Sequence, residues 1–504
     1  MSCRAGVAAL AALLSLSACG VGADAPPLVT TTSSPDGDIT GVAWLWEPVV
    51  EQIDCPAPLA RPDLACGRVE LLLDVDDPTG GTTHISVATL AGTSDPGTAM
   101  AVLQGGPGGA STDLAAWLPR QPFTQVFVDQ RGTGFAGPDL DCAEYEEVQP
   151  SLLEVPADRI DAESAAALAA CAERLGNEPI LLHTDSPTHA DDVVTVMYAL
   201  GHLRDWFVYG VSYGSTIGLE VLRADPGGLA GVVLDGVYPP TLDLDRALDV
   251  SARSSVEAIT SACALDAECA GRTPHFGDAL DRLVTRLDAR PLTVVLDADE
   301  SGFGREVEVR LDGRRLAEFV FVLLYNERNI AGLPGAVAGI ASGDDAAARW
   351  LAGAGARTLA AAYAANDEAT YFAVQCAERL AVASGPRPDS GGFLGALRGP
   401  PLVDSCRPWP SAGRADLPPR SPVASSVPVL LLSGGFDPIT PAVYADDVAR
   451  DLGQSTMVVQ DGRGHGIWIG DECIQSIVAR FVAGERLDTT CAVDPVPVDW
   501  FTPQ

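Results

Sequence analysis

Lysine is absent from this 504-residue chain: all 32 basic side chains are arginine, set against 68 acidic ones, and histidine occurs only six times. Without lysine there can be no Schiff-base amine, no pyridoxal-phosphate attachment and no P-loop. The formal net charge of −36 repels nucleic-acid phosphates and anionic lipid headgroups, so neither is expected as a general partner. Cysteine is present, but with no C-x-x-C spacing and so few histidines no metal or other cofactor is expected. Aromatic residues are sparse at 6%, yet 47% of the chain is hydrophobic, enough for a large core and too much for a disordered polymer. Beyond the first twenty residues no run is long and apolar enough to span a bilayer.

What is present begins at the amino terminus. Residues 1–19 carry one charge at Arg4, an apolar stretch from Gly6 to Leu16 and small residues before Cys19, the layout of a secretory signal. Leu16-Ser17-Ala18-Cys19 resembles a bacterial lipoprotein processing site, which implies that Cys19 is lipidated and becomes the mature terminus. Residues 20–38, rich in Pro, Ser, Thr and Gly, read as a flexible tether. An exported protein on the cell surface or in the periplasm is therefore expected, meeting the membrane only through that lipid. Ten further cysteines fall in near neighbours, Cys55 with Cys66, Cys142 with Cys171, Cys263 with Cys269, Cys376 with Cys406 and Cys473 with Cys491. An even count in an oxidising compartment suggests disulfides; sequential pairing is the working expectation, since spacing does not fix connectivity.

Alternating patterns organise the rest. Residues 69–75, 84–90, 99–103, 123–128, 206–209 and 231–234 read as strands, and 190–200 has helical spacing of apolar residues. After Tyr238-Pro239-Pro240 the chain turns Ala- and Leu-rich and helical, with a strand pair at 292–296 and 307–311; strands return at 427–432 and 456–459, before a helix at 471–482. This predicts an α/β fold with a mostly parallel central sheet, its core in two parts (39–241 and 420–504) split by a large, mainly helical cap at 242–419.

Chemistry concentrates at Gly210-Val211-Ser212-Tyr213-Gly214, a G-x-S-x-G turn directly after a strand and before a helix. A serine hydroxyl is a poor nucleophile until a base takes its proton. Among the six histidines, His465 lies in the glycine-rich loop Gly462-Arg463-Gly464-His465-Gly466, which can bring an imidazole to Ser212. Asp437, in Gly434-Gly435-Phe436-Asp437-Pro438-Ile439-Thr440-Pro441, supplies the orienting carboxylate, with Asp235 as runner-up. The order Ser212, Asp437, His465 is that of α/β-hydrolases. Two preorganised donors for a developing oxyanion are expected from the backbone N–H of Tyr213 and from Gly106 in the loop Gly105-Gly106-Pro107-Gly108-Gly109.

Those three segments, with Asp129-Gln130-Arg131-Gly132-Thr133-Gly134 and Gly464-His465-Gly466, together resemble the secreted tripeptidyl aminopeptidase and proline iminopeptidase branch of the α/β-hydrolase superfamily. The resemblance runs from about Ile39 to the carboxyl end, and the tripeptidyl type is the closer match. Gln104 stands where many iminopeptidases have histidine. The resemblance implies an exported serine exopeptidase that releases short amino-terminal units from a peptide substrate through an acyl-enzyme. It further implies that Glu378, in Val374-Gln375-Cys376-Ala377-Glu378, binds the substrate's α-ammonium, and that Arg131 braces its loop by an ion pair. Alternatives are an esterase or amidase using the same triad, and a non-catalytic peptide-binding lipoprotein. For the anchor, Cys19→Ser should abolish incorporation of labelled fatty acid, and undiminished labelling of that variant would contradict lipidation at this residue.

Overall fold

The computed structural model describes residues 29–33, 39–44, 46–59, 61–138, 140–382, 391–412 and 420–503. The signal segment with Cys19 lies outside the described residues. So does most of the expected tether, but Val29–Ser33 departs from that expectation. Its run of β-branched residues favours extended pairing, and it forms an antiparallel ribbon with Ile39–Trp44.

Nine strands form the central sheet: β1 (Val49–Ile53), β2 (Leu64–Leu72), β3 (Thr82–Leu90), β4 (Asp95–Leu103), β5 (Phe123–Val128), β6 (Trp206–Val211), β7 (Leu229–Asp235), β8 (Val429–Gly434) and β9 (Ser455–Gln460). Their spatial order is β9-β8-β7-β6-β4-β5-β3-β2-β1. The six from β9 to β5 run parallel, and β3, β2 and β1 add antiparallel neighbours. The inner parallel strands β5, β6 and β8 are buried on both faces, as crossover helices require. Alternate residues divide between two cores: Ala101, Val208, Val232 and Leu431 face one, and Val102, Phe207, Val233 and Leu430 the other. Fully burying one such side chain stabilises by ~1.5–3 kcal/mol.

Four helices position the site: α1 (Ser186–Ala199), α2 (Tyr213–Ala224), α3 (Glu368–Glu378) and α4 (Glu472–Val482). Helix α1 starts four residues earlier than its apolar spacing predicts, because the Asp185 carboxylate caps it by accepting the Thr188 N–H at 3.0 Å. Between β7 and β8 the chain is largely helical, apart from the ribbon of Leu292–Leu296 with Val307–Leu311. This stretch has a hydrophobic core of its own around Phe276, Phe319, Leu323 and Leu351. Five disulfides join the cysteines in sequential pairs. Among the described residues no helix is long and apolar enough to cross a membrane.

One buried ion pair locks the sheet to α1. Arg131, 1% exposed, grips both oxygens of Asp192 at 2.7 and 2.9 Å and donates to the carbonyls of Leu72 and Leu73. Removing one partner of such a pair strands the other charge, so Arg131→Ala should cost about 3–5 kcal/mol in urea unfolding. A loss below about 1 kcal/mol, the range of an exposed pair, would contradict the bracing role.

Candidate active site

Strand β6 is buried along its whole length and delivers Ser212 at its carboxyl end. There Ser212 adopts φ 57° and ψ −123°, a strained conformation for a residue with a side chain, worth about 1–3 kcal/mol. The flanking glycines are required by crowding. A Cβ on Gly210 would lie 2.1 Å from the Gly214 carbonyl oxygen, and one on Gly214 would lie 2.4 Å from that of Leu103. The Ser212 N–H donates to the Asp235 carbonyl at 2.9 Å, and α2 begins immediately afterwards.

The predicted acid and base meet directly. His465 Nδ1 lies 2.8 Å from Asp437 Oδ2. Asp437 is 1% exposed, and its other oxygen accepts the N–H groups of Ile439 and Thr440 at 2.9 and 2.8 Å. Thr440 was not anticipated: its hydroxyl donates to Asp437 Oδ2 at 2.7 Å and sits 3.0 Å from His465 Nδ1, fixing the carboxylate that fixes the ring. With Nδ1 bound to a carboxylate, Nε2 is the nitrogen left to act as base. Burial disfavours the charged ring, but the charge and hydrogen bond of Asp437 outweigh it, so the His465 pKa is raised. Asp437 is lowered in return: burial opposes its charge, and His465 and the two N–H donors overcome it.

Serine and histidine come together where β6 and β7 end. A Cβ on Gly236 would touch His465 Cε1 at 3.0 Å, and one on Gly466 would touch Val211 at 3.2 Å. The Ser212 hydroxyl makes no hydrogen bond among the described residues, a looseness common before substrate tightens such a site. Asp235, the runner-up acid, does other work. Its carboxylate accepts the N–H groups of Ile467 and Trp468 at 3.0 and 2.9 Å and the Tyr209 hydroxyl at 2.9 Å.

The two expected oxyanion donors face the same end of the sheet. Neither the Gly106 N–H nor the Tyr213 N–H is hydrogen-bonded among the described residues, whereas the Gly105 N–H is taken by Gln104 Oε1 at 3.0 Å. Gln130, also unanticipated, holds the glycine loop. Its Nε2 donates to the Gly105 carbonyl at 2.9 Å and its Oε1 accepts the Gly108 N–H at 3.0 Å. Among the described residues no cluster of histidine, cysteine, aspartate and glutamate is arranged to hold a metal.

A family profile described as TAP-like protein matches residues 395–491, the stretch that carries Asp437 and His465. Serine protease Hip1 of Mycobacterium tuberculosis is 24% identical over 463 residues, covering 83% of this chain and 85% of the relative. Carboxylesterase B of the same organism is 26% identical over 510 residues, covering 92% and 94%. This chain is a serine hydrolase of the α/β-hydrolase fold. A solved proline iminopeptidase of Mycobacterium smegmatis is 17% identical to the hydrolase and covers 81% of it and 96% of its own chain, at a TM-score of 0.37.

The hydrolase departs from expectation at Glu378. That carboxylate is 1% exposed, accepts the N–H and hydroxyl of Ser186, and pairs with Arg420 at 3.1 Å. Its oxygens are spent inside the protein, so the position does not offer them to a substrate ammonium. The partner Ser186 is 192 residues away in sequence, which no local motif reveals.

A raised His465 pKa has a definite sign in catalysis. The ring must be neutral to accept the Ser212 proton, so kcat/KM should fall as pH drops through a midpoint above the ordinary histidine value of 6.5. In Asp437→Asn that midpoint should move down while kcat falls by about 10⁴. An acid limb unmoved by this substitution would mean that another group controls it.

Proposed function

We propose that this hydrolase is an exported serine exopeptidase that removes short amino-terminal units from peptides. Ser212 attacks the scissile carbonyl while His465 Nε2 takes its proton. Asp437 holds the imidazole and stabilises its charged form, and the N–H groups of Gly106 and Tyr213 receive the carbonyl oxygen as it becomes anionic. His465 then gives the proton to the leaving amine, and water releases the acyl group by the same steps. The observation that carries the reading is the joining of Asp437 to His465 beside a strained serine and two unengaged N–H groups. Five disulfides support export, and anchoring through Cys19 belongs to the same proposal.

An exopeptidase must read a charged amino end, and Glu368 supports that requirement. It opens α3, is 7% exposed, and its Oε2 is buried without a hydrogen-bond partner among the described residues. Burial, with the nearby charges of Glu146 and Asp141, pushes its pKa up to about 8. Tyr325 stands edge-on to the His465 ring, with centroids 5.2 Å apart. Among the described residues the Glu368 carboxyl group has no counter-charge. An arriving ammonium supplies one and draws the carboxyl into its ionised form.

The name of the carboxylesterase relative favours a second reading, in which the same triad cleaves small esters. Chromogenic amides with free and blocked amino termini, assayed beside simple esters, separate the two. Glu368→Gln should raise KM for free-amine amides roughly 10–100-fold, the worth of a hydrogen bond to a charged group, and leave ester hydrolysis unchanged. Equal cleavage of blocked and free amides by the parent protein would contradict the exopeptidase reading, and turnover of esters alone would promote the second.

A further inference from the structure

Helix α3 is linked at its two ends to the two segments of the candidate oxyanion hole. At its start, the Asp367 N–H donates to the Gly108 carbonyl at 2.9 Å, and Asn366 forms a β-bridge with Gly109. The fit leaves no slack, since a Cβ on Gly108 would lie 2.4 Å from the Asp367 carbonyl oxygen. One turn further, the Thr370 hydroxyl donates to the Arg131 carbonyl at 3.3 Å. At the far end, Glu378 binds Ser186, and the Ser186 Oγ lies 3.0 Å from the Tyr213 hydroxyl. Tyr213 in turn lies 3.0 Å from His189 Nδ1.

Burial raises the Glu378 pKa and Arg420 opposes it; with the carboxylate ionised, the protons in this chain run in one order. An ionised Glu378 only accepts, so Ser186 gives it its single hydroxyl proton. Tyr213 then donates to Ser186, and Tyr213 itself accepts from His189 Nδ1–H. That order leaves His189 Nε2 unprotonated, and this atom is buried without a hydrogen-bond partner among the described residues. Burial keeps the ring neutral, lowering its pKa to about 4. Arg420 closes the chain by pairing with Glu378 and with Glu220 on α2, at 3.1 and 3.3 Å. Aligned hydrogen bonds of this kind polarise and stiffen one another in a low-dielectric interior.

We propose that α3 positions both oxyanion donors, setting Gly106 through the Gly108–Gly109 turn and Tyr213 through Glu378 and Ser186. The carboxylate that resembled a substrate-binding group is thus a positioning residue, and it acts with Ser186 on the residue after the nucleophile. The proposal rests on the reading of Ser212 as nucleophile and of the Gly106 and Tyr213 N–H groups as oxyanion donors.

Two mild substitutions in the full chain test it. Ser186→Ala removes one oxygen and keeps the backbone N–H that Glu378 accepts. Tyr213→Phe removes the hydroxyl and keeps the donor N–H itself. For each, kcat and KM on a chromogenic acyl substrate are measured together with the affinity of a substrate-like trifluoromethyl ketone, whose serine adduct carries the oxyanion. Losing a whole donor costs ~10²–10³ in rate, so a loosened one should lower kcat about tenfold, with KM within about twofold. The ketone should weaken in parallel with kcat/KM. If both variants keep kcat and ketone affinity within about twofold of the parent, with or without a lower melting temperature, the proposal is overturned. Ser212→Ala is run alongside: full activity there would remove the nucleophile reading itself, a separate failure.

Discussion

Crowding at the carboxyl end of β6 governs this site. Three backbones close on one another there so tightly that Gly105, Gly210 and Gly214 have no room for a Cβ, and Ser212 is forced to a positive φ. A turn this strained persists only where its surroundings over-determine it. Asp235 does much of that. Its carbonyl accepts the Ser212 N–H, and its carboxylate takes the N–H groups of Ile467 and Trp468, just past His465. One residue at the end of β7 therefore ties the turn carrying Ser212 to the loop carrying His465.

The helical stretch between β7 and β8 completes what the sheet begins. The Tyr325 carbonyl accepts the His465 N–H at 3.1 Å, Glu327 pairs with Arg463 at 2.9 Å, and the Ser255 hydroxyl donates to the carbonyl of Phe436, next to Asp437. The carboxyl-terminal strap adds to this: the Val496 N–H bonds Asp461 at the start of the histidine loop, and the Phe501 N–H bonds Ala331. The two loops carrying Asp437 and His465 are thus gripped from the insertion as well as from the core. With α3 reaching the glycine loop and, through Glu378 and Ser186, Tyr213, the candidate site and the helical stretch are parts of one packed unit.

Much of this was legible in the sequence, for local reasons. Strand β5 matches its expected limits because Phe123–Val128 is a short apolar run between turn signals, and the ribbon at Leu292–Leu296 and Val307–Leu311 likewise matches. The glycines around Ser212 mark a backbone approach whatever lies beyond it, and near-neighbour cysteines need little more than proximity to pair. What stayed hidden depends on partners distant along the chain. Glu378 reads alike whether it faces solvent, substrate or Ser186, and only the fold decides. Glu368 is one acid among 68 until burial leaves one of its oxygens alone. Thr440 sits three residues after Asp437, in a motif already noted, but its role follows from the turn that points its hydroxyl back at the triad.

The chemistry assigns the reacting atom to Ser212 Oγ, and that assignment can be observed directly. The protein would be incubated with a fluorophosphonate, digested and sequenced by mass spectrometry, with the Ser212→Ala and His465→Ala variants treated in parallel. The expected result is a single stoichiometric adduct on the peptide containing Ser212, none in Ser212→Ala, and strongly slowed labelling in His465→Ala. Labelling of another residue, or an unmodified Ser212 in a protein that hydrolyses its substrate, would contradict the assignment.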